Sequence, residues 1–280
     1  MDIRQMGRSD LDFASFCTET EGWDSEVREV FEGFHTFFPR GCLIAEKEGK
    51  PAGIIVATPY IDHGFIGELI VLQGYRGHGI GTALLSRALD VLRERGIRTI
   101  LLDGDLKAVP IYERGGFRRI CRSLRFNGSI ICEMNGAIRP MSLRDLALIY
   151  DIDRELFGDD RSFFLEKCLR NYPRYCLVEE KKGRITGYLF GRKGKGLIVA
   201  GPWAVLQRGD PMAMMEGLSF VAKGIPLRIG VLENNLEAVR LMRSLDGFQE
   251  EEFSWRMEWG LPSGLGDNPC LFGIGSAARG

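Results

Sequence analysis

The stretch that decides the fold is VLQGYRGHGIGTALL, residues 71–85. It joins a predicted strand at residues 65–72 to a predicted helix at residues 79–95, where apolar side chains recur at helical spacing. The first turn of a helix has free backbone N–H groups and a positive end, and glycines let that backbone approach an anion closely. The junction therefore favours a pyrophosphate-binding loop, with a glycine-rich packing turn as the alternative.

Two other phosphate-binding patterns fit the junction less well. A dinucleotide-binding loop carries G-x-G-x-x-G after the first strand of its domain, with an acid about 20 residues later. Here the loop follows the fourth predicted strand instead. A P-loop requires Gly-Lys-Ser/Thr, and that triplet does not follow the glycines here.

An internal repeat indicates two copies of one fold. Residues 2–11 (DIRQMGRSDL) recur as residues 137–146 (AIRPMSLRDL), and residues 42–53 (CLIAEKEGKPAG) recur as residues 176–187 (CLVEEKKGRITG). The offset between the copies stays at 134 or 135 residues. We therefore predict a first domain at residues 1–135 and a second at residues 136–280, joined near residues 134–137.

The first copy reads as β-α-α-β-β-β-α-β-α-β-β, and the second copy repeats that order. Its predicted elements after the first helices are a β-hairpin at 42–60 with its turn at 48–50, a strand at 65–72, helices at 79–95 and 106–114, a strand at 98–103 and a final β-hairpin at 117–134. The second copy is predicted to contain a hairpin at 175–190, strands at 197–206 and 226–231, and helices at 212–222 and 234–245.

The first copy resembles the GNAT superfamily of acyl-CoA-dependent N-acyltransferases. Their phosphate loop, R/Q-x-x-G-x-G/A after strand four, is matched by Arg76, Gly79 and Gly81. Their next motif, N-x-x-A-x-x-L-Y-E-x-x-G-F, is matched by residues 105–117 (DLKAVPIYERGGF), with Asp105 in place of the usual Asn and an unusual Pro inside the helix. The whole chain further resembles a tandem-GNAT family of bacteria and archaea. The resemblance implies an α/β fold of α+β type: two tandem domains, each a twisted mixed sheet flanked by helices.

The resemblance also implies which residues contact acyl-CoA. They lie at the end of strand four, in the phosphate loop and at the start of the second motif: Leu69, Ile70, Val71, Arg76, Gly77, His78, Gly79, Ile80, Gly81, Thr82 and Asp105. In the second copy the loop is lost, because Asp210, Pro211, Ala213 and Met215 stand at the corresponding positions. Proline has no N–H to donate, and an aspartate repels phosphate. We expect one acyl-CoA per chain, between the strands that end near Leu72 and Asp103.

The family's chemistry is direct attack of an amine on the thioester, without a covalent enzyme intermediate. Tyr112 matches the position of the acid that assists the departing thiolate; its alternative is a half-buried helix tyrosine. Glu68 shares a pleat face with Ile70 and Leu72 and is a candidate base, with a paired structural glutamate as the alternative. Asp62, His63 and a water relay are other candidate bases.

Other features bear on the oxyanion and on the acceptor. A backbone N–H near Val71 or Leu72 could serve the oxyanion if strand four splays there. For the acceptor side, Trp23 lies where related folds line the acceptor cleft, with a core tryptophan as the alternative. Asp160 and Arg161 are candidates to face the acceptor. The alternative is structural: Asp160 caps a helix as an N-cap carboxylate, and Arg161 is solvated.

Composition excludes several other classes. The chain has 37 basic and 38 acidic residues and a net charge of -1, which argues against a nucleic-acid-coating surface. No apolar run approaches the roughly 18 residues of a membrane span, and the charged start MDIRQMGRSD shows no signal peptide. Seven cysteines without CxxC spacing and three histidines predict reduced thiols in a cytoplasmic protein and no metal site.

The sequence thus predicts an acetyl-CoA-dependent N-acetyltransferase that acts on a primary amine of a small molecule, with acetyl-CoA or another acyl-CoA as co-substrate and no metal. Two alternatives stay open: a non-catalytic acyl-CoA-binding regulatory module, and a protein or peptide N-acetyltransferase. No nucleic-acid or membrane partner is expected, and a homodimer is one option for assembly.

Overall fold

The computed structural model describes residues 1–133 and 136–280. The strands are β1 (Asp2–Gln5), β2 (Cys42–Lys47), β3 (Lys50–Pro59), β4 (His63–Val71), β5 (Thr99–Gly104), β6 (Arg118–Gly128), β7 (Ile138–Pro140), β8 (Leu177–Lys181), β9 (Arg184–Lys193), β10 (Ile198–Val205), β11 (Leu227–Leu232), β12 (Phe248–Glu250), β13 (Ser254–Gly260) and β14 (Leu271–Gly273). The α-helices are α1 (Leu11–Thr20), α2 (Arg28–Phe37), α3 (Ile80–Arg93), α4 (Val109–Arg114), α5 (Leu146–Phe157), α6 (Ser162–Asn171), α7 (Pro211–Ala222) and α8 (Leu236–Ser244).

The first of two compact units contains residues 1–120, 254–263 and 277–280. Its sheet has the order β1-β2-β3-β4-β5-β13, in which β4 and β5 are parallel and the other neighbours antiparallel. Helix α3 covers one face, where Leu84, Leu85 and Ala88 pack with Ile66 and Ile100. Helix α1 packs on β3 and β4. The unit is therefore a mixed sheet flanked by helices, as the sequence predicts.

The second unit contains residues 121–253 and 264–276. Its sheet has the order β7-β8-β9-β10-β11-β6, with β10 and β11 parallel. Helix α7 supplies Met214, Met215 and Leu218 to a core cluster that includes Trp203 and Phe272. The two units thus repeat one strand–helix plan, which confirms the predicted fold class.

The hairpins of the two units turn in the same way. Strands β2 and β3 are joined by Glu48 and Gly49, both with positive φ (54° and 73°), and strands β8 and β9 by Lys182 and Gly183 (53° and 72°). Two central residues of positive φ make the tight turn whose twist matches paired strands. The turn predicted at 48–50 is therefore observed.

The final β-hairpin predicted at 117–134 is wrong. Residues 118–128 form the single strand β6, which pairs antiparallel with β11 from Ser123 to Gly128. Strand β13, which the repeat assigns to the second copy, instead pairs with β5 inside the first unit. Local alternation of apolar residues identifies a strand but carries no information about its partner.

The compact units differ from the predicted division at residue 135 in two segments, 254–263 and 277–280, and in residues 121–133. The predicted junction at 134–137 includes Met134 and Asn135, which lie outside the described residues. That residues 1–135 and 136–280 are the two functional domains stays a prediction.

The residues that reveal the repeat form the same ion pair in each unit. Arg4 contacts Asp10 at 2.6 Å in the first unit, and Arg139 contacts Asp145 at 2.9 Å in the second. Each aspartate also accepts a hydrogen bond from the backbone N–H three residues before it, at 2.7 Å in both units. The recurring residues therefore fix the segment that leads from the first strand into the first helix of each unit.

Within residues 1–133 and 136–280, we find no helix with the length and apolar character to cross a membrane.

Candidate active site

The loop before α3 has the backbone that close approach to an anion requires. Gly77 and Gly79 both have left-handed φ, at 80° and 78°. A Cβ built on either residue would meet open space. The requirement for glycine is therefore conformational, because a side chain in this region of φ is strained.

The start of α3 has backbone N–H donors and no side-chain N-cap. Gly79 is the N-cap residue and supplies no side-chain acceptor. The first intrahelical bond runs from the Ala83 N–H to the Gly79 carbonyl at 3.0 Å. The N–H groups of Ile80, Gly81 and Thr82 have no helical acceptor, since a helix leaves its first donors unpaired. Together with the positive helix end, these groups suit a phosphate.

Arg76 is held by two contacts. Its Nε donates to the Val71 carbonyl at 2.7 Å, and its Nη2 forms an ion pair with Glu21 in the connection between α1 and α2. About half of its side chain is exposed (49%), so the guanidinium is fixed in position yet reachable by a ligand. The predicted acceptor residue Trp23 lies two positions beyond Glu21, where its N–H donates to the Thr18 carbonyl at 2.9 Å.

Strands β4 and β5 separate beside this loop. Their parallel pairing covers His63 to Phe65 on β4 and then stops, although β4 continues to Val71 and β5 to Gly104. On its other side β4 stays paired with β3, through Gly53 opposite Val71. Strand β4 therefore splays away from β5 near Val71, as an oxyanion site there requires.

The two predicted oxyanion donors differ. The N–H of Leu72 donates to the Ala52 carbonyl of β3 at 2.9 Å, so it is not available to a ligand. Because N–H groups alternate in direction along a strand, the N–H of Val71 points toward β5 and the gap. Val71 is thus the remaining predicted donor.

Glu68 lies at a bulge in β4. Its φ is 56°, and the register with β3 shifts between Ile54 and Val56. The predicted shared face of Glu68, Ile70 and Leu72 is therefore wrong: the bulge interrupts the alternation, and Leu72 follows the strand. Glu68 is 4% exposed. A long side chain in left-handed backbone is costly, and such strain is concentrated at functional sites.

Tyr112 lies on α4 at the end of β5. Its ring packs edge-on against Phe117, with centroids 6.1 Å apart, and against the backbone of Gly104. Burial raises the pKa of the Tyr112 phenol well above its ordinary value, and the carboxylates of Asp105 and Glu68 raise it further. The three side chains therefore share one electrostatic environment at the splayed ends of β4 and β5.

Pro110 is unusual for the family's second motif, and its position explains how the helix accommodates it. Helix α4 begins at Val109, so Pro110 lies in the first turn. Its missing N–H would have no helical acceptor there in any case. Asp105 accepts from the Lys107 N–H at 3.1 Å, and its carbonyl accepts from the Ala108 N–H at 2.8 Å, which tightens the approach to the helix.

The other candidate bases lie elsewhere. His63 begins β4 and pairs with Thr99 at the start of β5, and Asp62 precedes it. At about 3.3 Å per residue, the five residues from His63 to Glu68 span roughly 16 Å along the strand. The structure therefore brings Glu68, and not His63 or Asp62, to the end of the sheet that carries Tyr112.

Asp160 and Arg161 are structural residues of the second unit. Asp160 accepts from the Ser162 N–H at 2.8 Å and pairs with Arg154 at 3.0 Å. The N-cap residue of α6 is Arg161, so Asp160 serves the first helical N–H from one position earlier than the predicted N-cap carboxylate. Arg161 is neither solvated nor aimed at a ligand. It is 4% exposed, bonds Asp153 through Nε (2.9 Å) and Nη2 (2.8 Å), and stacks over Phe157 at 4.0 Å.

In the second unit, the protein's own residues occupy the N-terminus of α7, the helix that corresponds to α3. The Asp210 carboxylate accepts from the Ala213 N–H at 3.1 Å, and Pro211 occupies the first helical position of α7. The N–H of Asp210 donates to the buried Glu179 carboxylate at 3.0 Å. Met215, at the position of Gly81, is fully buried in the core. A phosphate would here meet carboxylates instead of free amides.

The second unit also fills the gap between its two parallel strands. Strands β10 and β11 pair from Ile198 to Ala200 only. Beyond that point β14 pairs antiparallel with β10, and the N–H of Ile274 donates to the Gly230 carbonyl of β11 at 3.0 Å. The ring of Phe272 packs on Trp203 at 5.2 Å. Sequence reasoning missed this strand, whose three residues carry no recognisable strand pattern.

A buried ion pair between β5 and its neighbour β13 was also missed. Arg256 of β13 contacts Asp103 of β5, and both side chains are almost fully buried. The guanidinium lies 5.1 Å from the centre of the Phe65 ring. The sequence does not predict this ion pair, because the pairing of β13 with β5 joins residues 153 positions apart.

No group of three or more histidine, cysteine, aspartate or glutamate side chains suited to a metal ion occurs in the described part of the chain.

Both halves of the chain match acetyltransferase family models. The model described as "Acetyltransferase (GNAT) family" matches residues 10–117, and that described as "Acetyltransferase (GNAT) domain" matches residues 149–273. N-alpha-acetyltransferase 30 of Schizosaccharomyces pombe is 39% identical over 105 residues, which are 35% of this chain and 70% of that protein. Glucosamine 6-phosphate N-acetyltransferase of Trypanosoma brucei brucei is 36% identical over 64 residues, 23% of this chain and 44% of that protein.

The chain thus spans only part of the length of the curated relatives it matches, between 44% and 70% for these two. A solved structure from Pyrococcus horikoshii shares the fold over 100% of this chain and 95% of its own, with a TM-score of 0.82 at 22% identity. Likeness of this kind over both halves shows that the chain belongs to the GNAT acetyltransferase family and carries two domains of that family in tandem.

Proposed function

We propose that the first unit binds acetyl-CoA and transfers the acetyl group to a primary amine of a small molecule. The observation that carries the proposal is the arrangement around the gap between β4 and β5. The start of α3 lies beside the end of β4, because a Cβ built on Gly81 would come within 3.7 Å of the Val71 Cγ2. The charge of Glu68 contributes to the raised pKa of the Tyr112 phenol. A phosphate site and a pair of proton-handling groups thus meet at one place.

The acyl donor is held in two parts. The pyrophosphate binds the N–H groups of Ile80, Gly81 and Thr82, with Arg76 as a fixed cation beside them. The acyl arm extends along the gap, where the splayed edge of β4 has backbone groups that β5 does not pair. The thioester oxygen then accepts from the N–H of Val71, which stabilises the negative charge that develops on attack.

The amine must lose a proton before it attacks, since an aliphatic ammonium has a pKa of about 10. Glu68 accepts that proton. The nitrogen attacks the thioester carbon, and the tetrahedral intermediate collapses as the C–S bond breaks. The sulfur leaves as a thiolate, toward which Tyr112 donates its hydroxyl proton in a hydrogen bond. A phenol is protonated at neutral pH even at its ordinary pKa of about 10, and burial raises the pKa of Tyr112 further, so its hydroxyl is available as a donor.

A peptide α-amine is the second candidate acceptor. It is favoured by the 39% identity to a relative named as an N-alpha-acetyltransferase. The relative named for glucosamine 6-phosphate favours a small amine instead. The chemistry at the thioester is the same for both, so the two candidates differ only in the shape of the pocket that the amine enters.

A thiol-release assay tests the proposal. Purified chain and acetyl-CoA are mixed with a panel of amines, amino acids, aminoglycosides and short peptides with free α-amines, and released CoA thiol is measured. We expect amine-dependent release, lost in Glu68→Gln. If acetyl-CoA binds but no amine causes release of CoA thiol, the proposed acetyltransferase activity is contradicted, and the alternative of a non-catalytic acyl-CoA-binding module is favoured.

A further inference from the structure

Residues 277–280 pack on β4 next to the candidate base. Ala278 is 4% exposed and lies against Gly67, the neighbour of Glu68. A Cβ built on Gly67 would come within 2.4 Å of the Ala278 Cβ and 2.6 Å of its Cα. Only glycine at position 67 permits this approach.

Two further contacts hold the segment. The Tyr60 hydroxyl, just after β3, donates to the Arg279 carbonyl at 2.7 Å. The Arg279 guanidinium lies 5.4 Å from the centre of the Phe34 ring on α2. The segment is therefore fixed from the sheet and from a helix at once.

The segment lies on the face of the sheet opposite α3. Ile66 and Ile100 belong to the core cluster under α3, so Phe65 and Gly67, which alternate with Ile66, point to the other face. The acyl donor approaches the gap from the N-terminus of α3. An amine that attacks a thioester held in the gap then approaches from the face opposite α3, the face on which Ala278 packs against Gly67.

We infer that residues 277–280 form a wall of the acceptor pocket and limit the acceptor to small primary amines. The inference rests on the proposed function. Ala278 packs against Gly67, the residue before Glu68 in β4, so it takes up space next to the strand segment that carries the candidate base. Ala278 contacts β4 through its methyl group and backbone, so the wall excludes bulky acceptors, whereas acyl-CoA binds at the loop and at the start of α3.

The test compares two acceptors on the wild-type chain and on a chain ending at Ser276. The acceptors are the best small amine from the thiol-release panel and a short peptide with a free α-amine. We expect the ratio of kcat/KM for peptide over small amine to rise about tenfold or more in the shortened chain, the scale on which pocket size discriminates substrates. Acetyl-CoA affinity, measured by calorimetry, should stay unchanged.

Point variants keep the test valid if the shortened chain does not fold. Gly67→Ala displaces Ala278 by a steric clash, and Tyr60→Phe removes one anchor; both should shift the ratio in the same direction. Arg279→Lys keeps a cation near Phe34 and is the matched control. If the folded variants turn over both acceptors with an unchanged ratio of kcat/KM, the inferred wall is wrong, while the proposed function is unaffected. Absence of turnover with either amine in the wild type overturns the proposed function, and the wall with it.

Discussion

The ring of Tyr112 lies against the backbone of Gly104: a Cβ built on Gly104 would come within 2.9 Å of both Cδ2 and Cε2 of that ring. Gly104 is the last residue of β5. The strand that forms one side of the gap therefore also positions the side chain that serves the leaving group. This contact makes the placement of Tyr112 testable without changing Tyr112 itself.

Gly104→Ala should lower kcat while Tyr112 is still present. The added methyl group pushes the ring away, and misplacement of a catalytic group by about 1 Å can cost up to 10²-fold in rate. Thiol release at saturating substrates measures kcat, and circular dichroism checks the fold. A folded variant with wild-type kcat would show that the contact does not position the ring for chemistry.

Tyr112→Phe should reduce kcat by about 10² to 10⁴, the usual contribution of general acid catalysis. The ring and its packing on Phe117 remain, so acetyl-CoA affinity should not change. The control is Tyr150→Phe in the second unit, where a tyrosine hydroxyl donates to Glu166 at 3.3 Å. Equal losses in the two variants, or no loss in either, would reject the assigned role.

The pH profile should carry no descending limb from Tyr112 below pH 10. An ordinary tyrosine stays protonated up to a pH of about 10. Burial raises the pKa of the Tyr112 phenol, so the protonated form that donates to the thiolate persists to a still higher pH. Rates of thiol release from pH 6 to 10 measure this. A fall in kcat near pH 8 or 9 that disappears in Tyr112→Phe would contradict the environment described for the side chain.

Asp145→Asn should lower the free energy of unfolding at pH 7 by about 1 kcal/mol or less, because the ion pair with Arg139 is partly exposed. The hydrogen bond from Arg139 lowers the pKa of Asp145 to about 2. A lowered folded-state pKa gives stability that is present above the unfolded value of about 3.9 and is lost as the pH falls to about 2. Urea unfolding of both proteins at pH 7 and near pH 2 should therefore show a difference that shrinks with acid. A difference that is constant over this range would contradict the pairing.

The features that sequence alone predicts are local ones. The loop glycines, the spacing of apolar residues on α3 and the tyrosine of α4 each lie within a short stretch, and the structure has the predicted elements there. The repeat was detectable because residues such as Arg4 and Asp10 form the same ion pair as Arg139 and Asp145. Residues with a common structural role keep a common pattern.

The features that sequence missed depend on distant pairing. The partner of β13 and the insertion of β14 are set by long-range backbone hydrogen bonds, which any strand can form. The bulge at Glu68 is a conformational event at one residue: the positive φ falls on the glutamate itself, and its sequence sign is the neighbouring Gly67, since an isolated glycine in a strand often marks a bulge. The burial of Arg161 in an ion pair with Asp153 is different, because the two residues are only eight positions apart; it depends on how the turn between α5 and α6 packs, so the residue types alone suggested a solvated arginine.

The central claim is that one acyl-CoA binds per chain, through the loop of the first unit. Titration calorimetry with acetyl-CoA tests it most directly, on the wild type and on Gly79→Val, which forces a branched side chain into a φ of 78°. We expect a stoichiometry of about one for the wild type and no measurable binding for a folded Gly79→Val. Two equivalent sites per chain, or unchanged affinity in that variant, would contradict it.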